Sequence, residues 1–148
     1  MKNNNITLHF KFSEFEKSDI AEKYEINNKI PDDHIRWAIR LLVINLLEPL
    51  RRAYGKPLHI NSGYRCPLVN TLAGGSETSQ HLKGEAADIA AEDPLYLAQV
   101  VVRNHLPFDQ IILYGTFVHL SHKPYGPQRR QILYDKSYML QYPKSKRL

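Results

Sequence analysis

The sequence predicts a mixed α+β domain. Two long segments carry apolar residues at helical spacing, and five short runs are rich in strand-forming residues, two of them joined by a Gly-Thr pair that fits a hairpin. At 148 residues with 43% hydrophobic composition, the chain has the size of one domain, spanning 1–148, with an ordinary core.

Between Leu8 and Glu25, Ser13 precedes Glu16 by three positions, which is a helix-start pattern, and Phe12, Phe15 and Ile20 are the expected buried residues. Asn27, Asn28 and Pro31 mark a loop. Asp32 or Asp33 then offers an N-cap to the longest periodic segment, with Ile35, Ile39, Leu42, Val43, Leu46, Leu47 and Leu50 on one face and Trp37 expected in the core. Pro49 removes a backbone donor inside that segment, so a kink or break is expected there, and Gly55 and Pro57 end it. Leu58 to Asn61 reads as a strand that carries residues 62–65 onward, and a brief helix follows from Pro67 to about Leu72.

Glu85 to Ala91 is small or apolar on both faces and is expected to be a central strand. Pro94 to His105 is the second long helix, with Pro94 in its first turn and Leu95, Ala98, Val101 and Val102 inward. Ile111 to Tyr114 and Phe117 to Ser121 flank Gly115-Thr116 as a two-residue hairpin, which pairs Ile112 with His119. In that register Gln110, Tyr114 and Ser121 share a face with His119, and Asp109 points the other way. Gln131 to Tyr134 is a further strand for the sheet edge, and the tail from Tyr142, with Lys144, Lys146 and Arg147, reads as loose and basic.

The net charge of +5 and a pI near 9.3 favour an anionic partner: nucleic acid, a membrane surface or an acidic wall polymer. Nucleic acid is disfavoured, because the chain has neither an aromatic-basic stripe nor zinc-finger spacing. Cys66 is the single cysteine, so no intrachain disulfide is possible, and no histidine is placed by motif to activate it as a nucleophile. The polar start and the lack of any apolar run near 20 residues lead us to expect no signal peptide and no membrane insertion. The chain is therefore expected to be made in the cytoplasm.

The residues that suggest chemistry lie in Ser79-Gln80-His81-Leu82-Lys83-Gly84-Glu85-Ala86-Ala87-Asp88, which sets an imidazole and a carboxylate seven positions apart, and in Phe117-Val118-His119-Leu120-Ser121. Two imidazoles and one carboxylate are a donor set that zinc accepts at catalytic centres, leaving a fourth position for water. The pattern Ser-x-His-x-x-Gly-x-Ala-x-Asp with a later His resembles the zinc DD-peptidases of the M15 group, which include D-alanyl-D-alanine carboxypeptidases and phage endolysins. Ile60-Asn61-Ser62-Gly63-Tyr64-Arg65, Asn70, Gly74-Gly75 and Phe108-Asp109-Gln110 share in the likeness, which runs from about His9 to His119.

That resemblance implies a small, mostly antiparallel sheet with helices packed on one side, of the Hedgehog/DD-peptidase type, and a zinc site in a groove on the sheet. His81, Asp88 and His119 would hold Zn2+, and Arg65 would meet the substrate carboxylate or the developing oxyanion. Ser62, Tyr64, Ser79, Gln110 and Ser121 are the expected substrate contacts, and Tyr114 the expected catalytic phenol. Gly84 would allow the close turn between the ligands. The implied activity is hydrolysis of peptidoglycan stem peptides, by a carboxypeptidase or an endolysin-type endopeptidase, in a monomer that reaches the wall after release, as a phage or prophage product would.

One departure from the family pattern stands out. M15 enzymes commonly carry a Glu or His shortly before the last zinc ligand, whereas here Tyr114, Gly115, Thr116, Phe117 and Val118 precede His119. A tyrosine, with an ordinary pKa of about 10, is a poor base at neutral pH. Asp109, Glu85, His122 or Asp135 would serve as the base only if the fold brings one close; the hairpin register argues against Asp109 and His122 and strand alternation against Glu85, so the base is unassigned, and an inactive zinc-bearing module that binds wall peptides or a protein partner is the alternative reading. The other histidines, His9, His34, His59 and His105, are expected at surface or structural positions.

Overall fold

The computed structural model describes residues 3–144 and 147–148, so Lys146 of the basic tail lies outside the described residues. Helices α1 (Ser13–Glu16) and α2 (Asp19–Lys23) open the fold, where the sequence suggested one helix. Ser18 divides them, because its hydroxyl accepts from Ala21 N and caps a new helix. Phe12 and Phe15 are buried as expected, while Ile20 is only half-buried and Ala21 faces the core instead.

Helix α3 (Asp33–Leu42) is capped by Asp32, whose carboxylate accepts from Ile35 N at 2.8 Å. It does not break at Pro49. The chain passes through one π-helical turn, Val43–Leu47, into α4 (Glu48–Tyr54), and Glu48 N donates to Val43 O, five residues back. Proline has no N–H, and its ring crowds the carbonyl four residues earlier, so a widened turn just before it lets the helix continue. Gly55 ends α4 in the left-handed region at φ 77°. Trp37, expected in the core, is 45% exposed. Two residues before Ile39 on a helix is about 200° around the axis, which puts Trp37 opposite the buried Ile39–Leu42 face.

Among the described residues the sheet has five strands in the order β1-β2-β4-β3-β5: β1 (Ile60–Ser62), β2 (Ala86–Ala90), β3 (Gln110–Leu113), β4 (Phe117–Ser121) and β5 (Gln131–Tyr134). All pairs are antiparallel except β3 with β5. The hairpin forms in the expected register, with Ile112 opposite His119 and Tyr114 N donating to Phe117 O at 3.0 Å. Strand alternation divides the two faces. Ala87, Ile89, Ile111, Leu113, Val118 and Leu120 turn to the core, where they pack with Leu42, Leu46, Leu50, Leu97, Ala98 and Val101. Asp88, Ile112, Phe117 and His119 turn the other way.

Helix α5 (Pro67–Leu72) follows β1, and α6 (Pro94–Arg103) packs against α4, β3 and β4. Of the α6 residues expected inward, Ala98 and Val101 are buried, together with Leu97 and Val100, whereas Leu95 and Val102 are only partly so. Lys136–Gln141 forms α7, capped by Asp135, a helix not expected from the sequence. In the tail beyond it, expected to be loose, the Arg147 guanidinium lies over the rings of Tyr134 and Tyr138. No helix among the described residues is long and apolar enough to cross a membrane.

Gly63 joins the first helix to the site. A Cβ there would lie 2.7 Å from the backbone Cα of Phe15, and Tyr64 N donates to Phe15 O at 2.8 Å. Gly63→Ala is therefore expected to push α1 off β1 and cost about 1–3 kcal/mol, seen as a Tm lower by roughly 3–10 °C in a thermal melt.

Candidate metal centre

Asp88 and His119 are directly opposed in the antiparallel β2–β4 pair, so their side chains rise from the same face as neighbours. His81 comes from a 3-10 turn, Gln80–Lys83, that follows the loop from Gly74 to Ser79. Ser79 caps it by accepting from His81 N at 3.2 Å, and Gly84, at φ 73°, closes it and returns the chain to β2. All three side chains are buried, and their donor atoms lie within 4.8 Å of one another.

Two contacts fix the donors. His119 Nδ1 is 2.9 Å and His81 Nε2 3.3 Å from the same oxygen, Asp88 Oδ1. A tetrahedral centre with bonds of about 2.1 Å separates its donors by about 3.4 Å, so these spacings suit a shared ion. On the far side of its ring, His81 Nδ1 donates to Gly63 O at 2.7 Å. In neutral His81 the Nε2 lone pair then faces a carboxylate oxygen, two acceptors in contact, and a cation between them resolves the conflict.

Burial by itself would raise the Asp88 pKa, but the hydrogen bond from His119 and the proximity of both rings outweigh it, holding the group ionised well below the usual carboxylate range. Arg65 adds a cation, with Nη2 at 3.4 Å from Asp88 Oδ2, Nε donating to Ser62 Oγ at 3.0 Å and Nη1 to Asn70 Oδ1 at 3.4 Å. Asn70 is fixed in turn: its Nδ2 donates to Ser76 O, and its Oδ1 occupies the space that a Cβ on Gly75 would need.

His81, Asp88, His119 and Arg65 line a cleft of about 560 Å³, together with Ser79, Gln80, Gln110, Ile112, Tyr114, Phe117 and Arg129. Tyr114 stacks on Phe117, ring centroids 4.2 Å apart. Burial, and then the negative charge of Asp88, push its phenol above the ordinary value, so it stays protonated and can donate a hydrogen bond.

A sequence model of peptidase M15 matches residues 8–121. The chain belongs to the peptidase M15 family. Over 78 residues, 51% of this chain, it is 36% identical to the zinc D-Ala-D-Ala carboxypeptidase of Streptomyces albus G. The match covers only 30% of that relative's length.

Within this M15 fold, Arg65, Tyr114, Ser79 and Gln110 reach the cleft, as do the three donor residues. Ser62, Tyr64 and Ser121, expected as substrate contacts, do not line it. The Ser62 hydroxyl is taken by Arg65, Tyr64 is 4% exposed within the core, and the Ser121 hydroxyl accepts from Gln110 N. None of the groups left open as a base lines the cleft either. Glu85 accepts from Gln80, Asp135 caps α7, and His122 is buried, which holds its pKa below the ordinary value. Asp109 precedes β3, is fully buried and does not line the cleft. Its carboxylate meets Gln80 and Arg129, two residues of the cleft wall. Neither Arg129 nor Gln80 was singled out from the sequence, where a polar run around 128–131 carries no distinguishing pattern.

Proposed function

We propose that this chain is a zinc-dependent peptidase that cleaves peptidoglycan stem peptides, as a D-Ala-D-Ala carboxypeptidase or an endopeptidase. The observation that carries the reading is the convergence of His81, Asp88 and His119 on one face of the sheet, in a cleft shared with Arg65 and Tyr114. The likeness to a zinc D-Ala-D-Ala carboxypeptidase supports the metal and the substrate class. His81, Asp88 and His119 would hold the ion, which when bound supplies Lewis-acid activation of water and of a carbonyl group at neutral pH.

The chain's own groups would do the rest. Gly63 O keeps the His81 proton on Nδ1 and so leaves Nε2 free to ligate. Arg65, held by Ser62 and Asn70, places positive charge where an oxyanion develops, and Tyr114 donates a hydrogen bond from the opposite hairpin. Incubation of the purified chain with zinc and a muropeptide ending in D-Ala-D-Ala is expected to release D-alanine or a cross-bridge fragment, detected by mass spectrometry, and a chelator is expected to stop the release.

A second reading, a zinc-bearing module that binds wall peptides without cleaving them, is favoured by one observation: Asp88 is the sole carboxylate lining the cleft among the described residues. Stoichiometric zinc and peptide binding with neither product formed would establish that reading against the first.

A further inference from the structure

Arg129 is the second arginine of the cleft and is held differently from Arg65. Its Nε and Nη2 donate to Asp109 Oδ2 at 2.9 and 2.6 Å, its backbone N donates to Asp109 Oδ1 at 2.7 Å, and its Nη2 lies 3.4 Å from Gln80 Oε1. Asp109 is fully buried, and Gln80 Nε2 donates to the same oxygen at 3.1 Å. A guanidinium tied along one edge to a buried carboxylate has given up its rotamer freedom before any ligand arrives. The backbone behind it is fixed as well, because Arg130 sits in the left-handed region at φ 57° with its guanidinium over Phe108, and Gln131 N then donates to Asp109 O at the start of β5.

Arg129 lines the cleft and is not fully committed. The side chain is 50% exposed, and Nη1 has no protein partner among the described residues. Arg65 is in the opposite condition: its side chain is 15% exposed and each of its nitrogens is directed at Ser62, Asn70 or Asp88. The charged side chains around the cleft, apart from histidine, are thus two arginines and the Asp88 carboxylate, which already faces two imidazoles and a guanidinium. With Nε and Nη2 committed to Asp109, the exposed Nη1 is a charge-assisted donor that suits a carboxylate oxygen.

We infer that Arg129 is a specificity residue, which takes a free carboxylate of the bound peptide remote from the scissile bond, so that acidic stem peptides bind in preference to their amidated forms. This inference rests on the reading of the cleft as a peptide site. It separates two roles: Arg65 acts beside the donor cluster, and Arg129 selects the ligand.

The test is equilibrium binding by calorimetry, on the zinc-loaded full chain, of a synthetic stem peptide and of the same peptide with its internal carboxylate converted to a carboxamide. The wild type is expected to bind the acid form roughly 10- to 100-fold more tightly, and Arg129→Gln to bind both forms alike at the weaker affinity. Because Arg129→Gln leaves the Asp109 carboxylate buried without its cation, the double variant Arg129→Gln/Asp109→Asn is measured beside it and is expected to lose the same discrimination. Arg129→Lys keeps the charge but loses the guanidinium that Asp109 holds in place, and is expected to restore only part of it.

Equal affinity of the wild type for the two peptides, no binding of either, or discrimination that persists in both Gln variants would each overturn the inference. Hydrolysis is scored separately. Cleavage without acid preference would sink the role of Arg129 and leave the peptidase reading standing, whereas acid-selective binding without cleavage would do the reverse.

Discussion

Asp88→Asn is expected to weaken zinc binding by at least about 100-fold, beyond the 10- to 100-fold typical of losing a group that only supports a ligand. Peptide hydrolysis should fall by roughly a thousandfold or more, since the Lewis-acid contribution is worth several kcal/mol. The reason is local. Oδ1 of Asp88 stands 2.9 Å from His119 Nδ1 and 3.3 Å from His81 Nε2, and Oδ2 faces Arg65 at 3.4 Å, so one carboxylate balances three basic groups in a buried place. A carboxamide fits the same volume but carries no charge to balance the ion, and its neutral oxygen is a weaker ligand than a carboxylate. Two measurements check this. Calorimetric titration should show the loss of affinity directly, and a saturating zinc concentration should raise the Tm of the wild type much more than that of the variant, because an ion stabilises only the state that binds it. Wild-type zinc affinity in Asp88→Asn would remove Asp88 from the donor set.

The part of this centre that was legible in the sequence is the part that local rules determine. The Gly115-Thr116 turn sets the register of β3 on β4, and alternation then puts His119 and Ile112 on one face. The alternation that places Asp88 beside His119 needed one more fact, the pairing of β2 with β4, which joins residues 31 positions apart and has no local signature. The family likeness named the three donors without it. Ser121 shows the limit of the alternation rule: it follows His119 by two residues, yet its hydroxyl is consumed by Gln110 N before the cleft begins. Tyr64 was expected at the ligand surface from its place beside Arg65, but it is drawn into the core where β1 meets α1, next to the close approach of Gly63 on Phe15. Arg129 escaped notice for the converse reason. Its place depends on Asp109, twenty residues earlier, and two charged residues so far apart give no pattern until the parallel β3–β5 pair brings them together.

Arg65→Ala is expected to lower kcat by about 100- to 1000-fold, the cost of losing a preorganised oxyanion partner, with KM changed only a few-fold. The split follows from how the side chain is held. With Nε on Ser62, Nη1 near Asn70 and Nη2 near Asp88, the guanidinium is fixed beside the donor cluster whether or not a peptide is present, so its attraction grows as negative charge develops on the carbonyl oxygen. A residue that merely bound a ground-state carboxylate would instead raise KM and leave kcat nearly intact. Arg65→Lys distinguishes charge from shape, since the ammonium keeps the positive charge but reaches fewer of the three anchors, and it is expected to recover only part of the lost rate. Removing the cation also leaves Asp88 Oδ2 without its guanidinium, so zinc affinity has to be measured in the same variants. A fall in kcat at unchanged zinc occupancy assigns the effect to the oxyanion, whereas a parallel loss of zinc would make Arg65 a support of the Asp88 ligand, acting on the rate only through the metal.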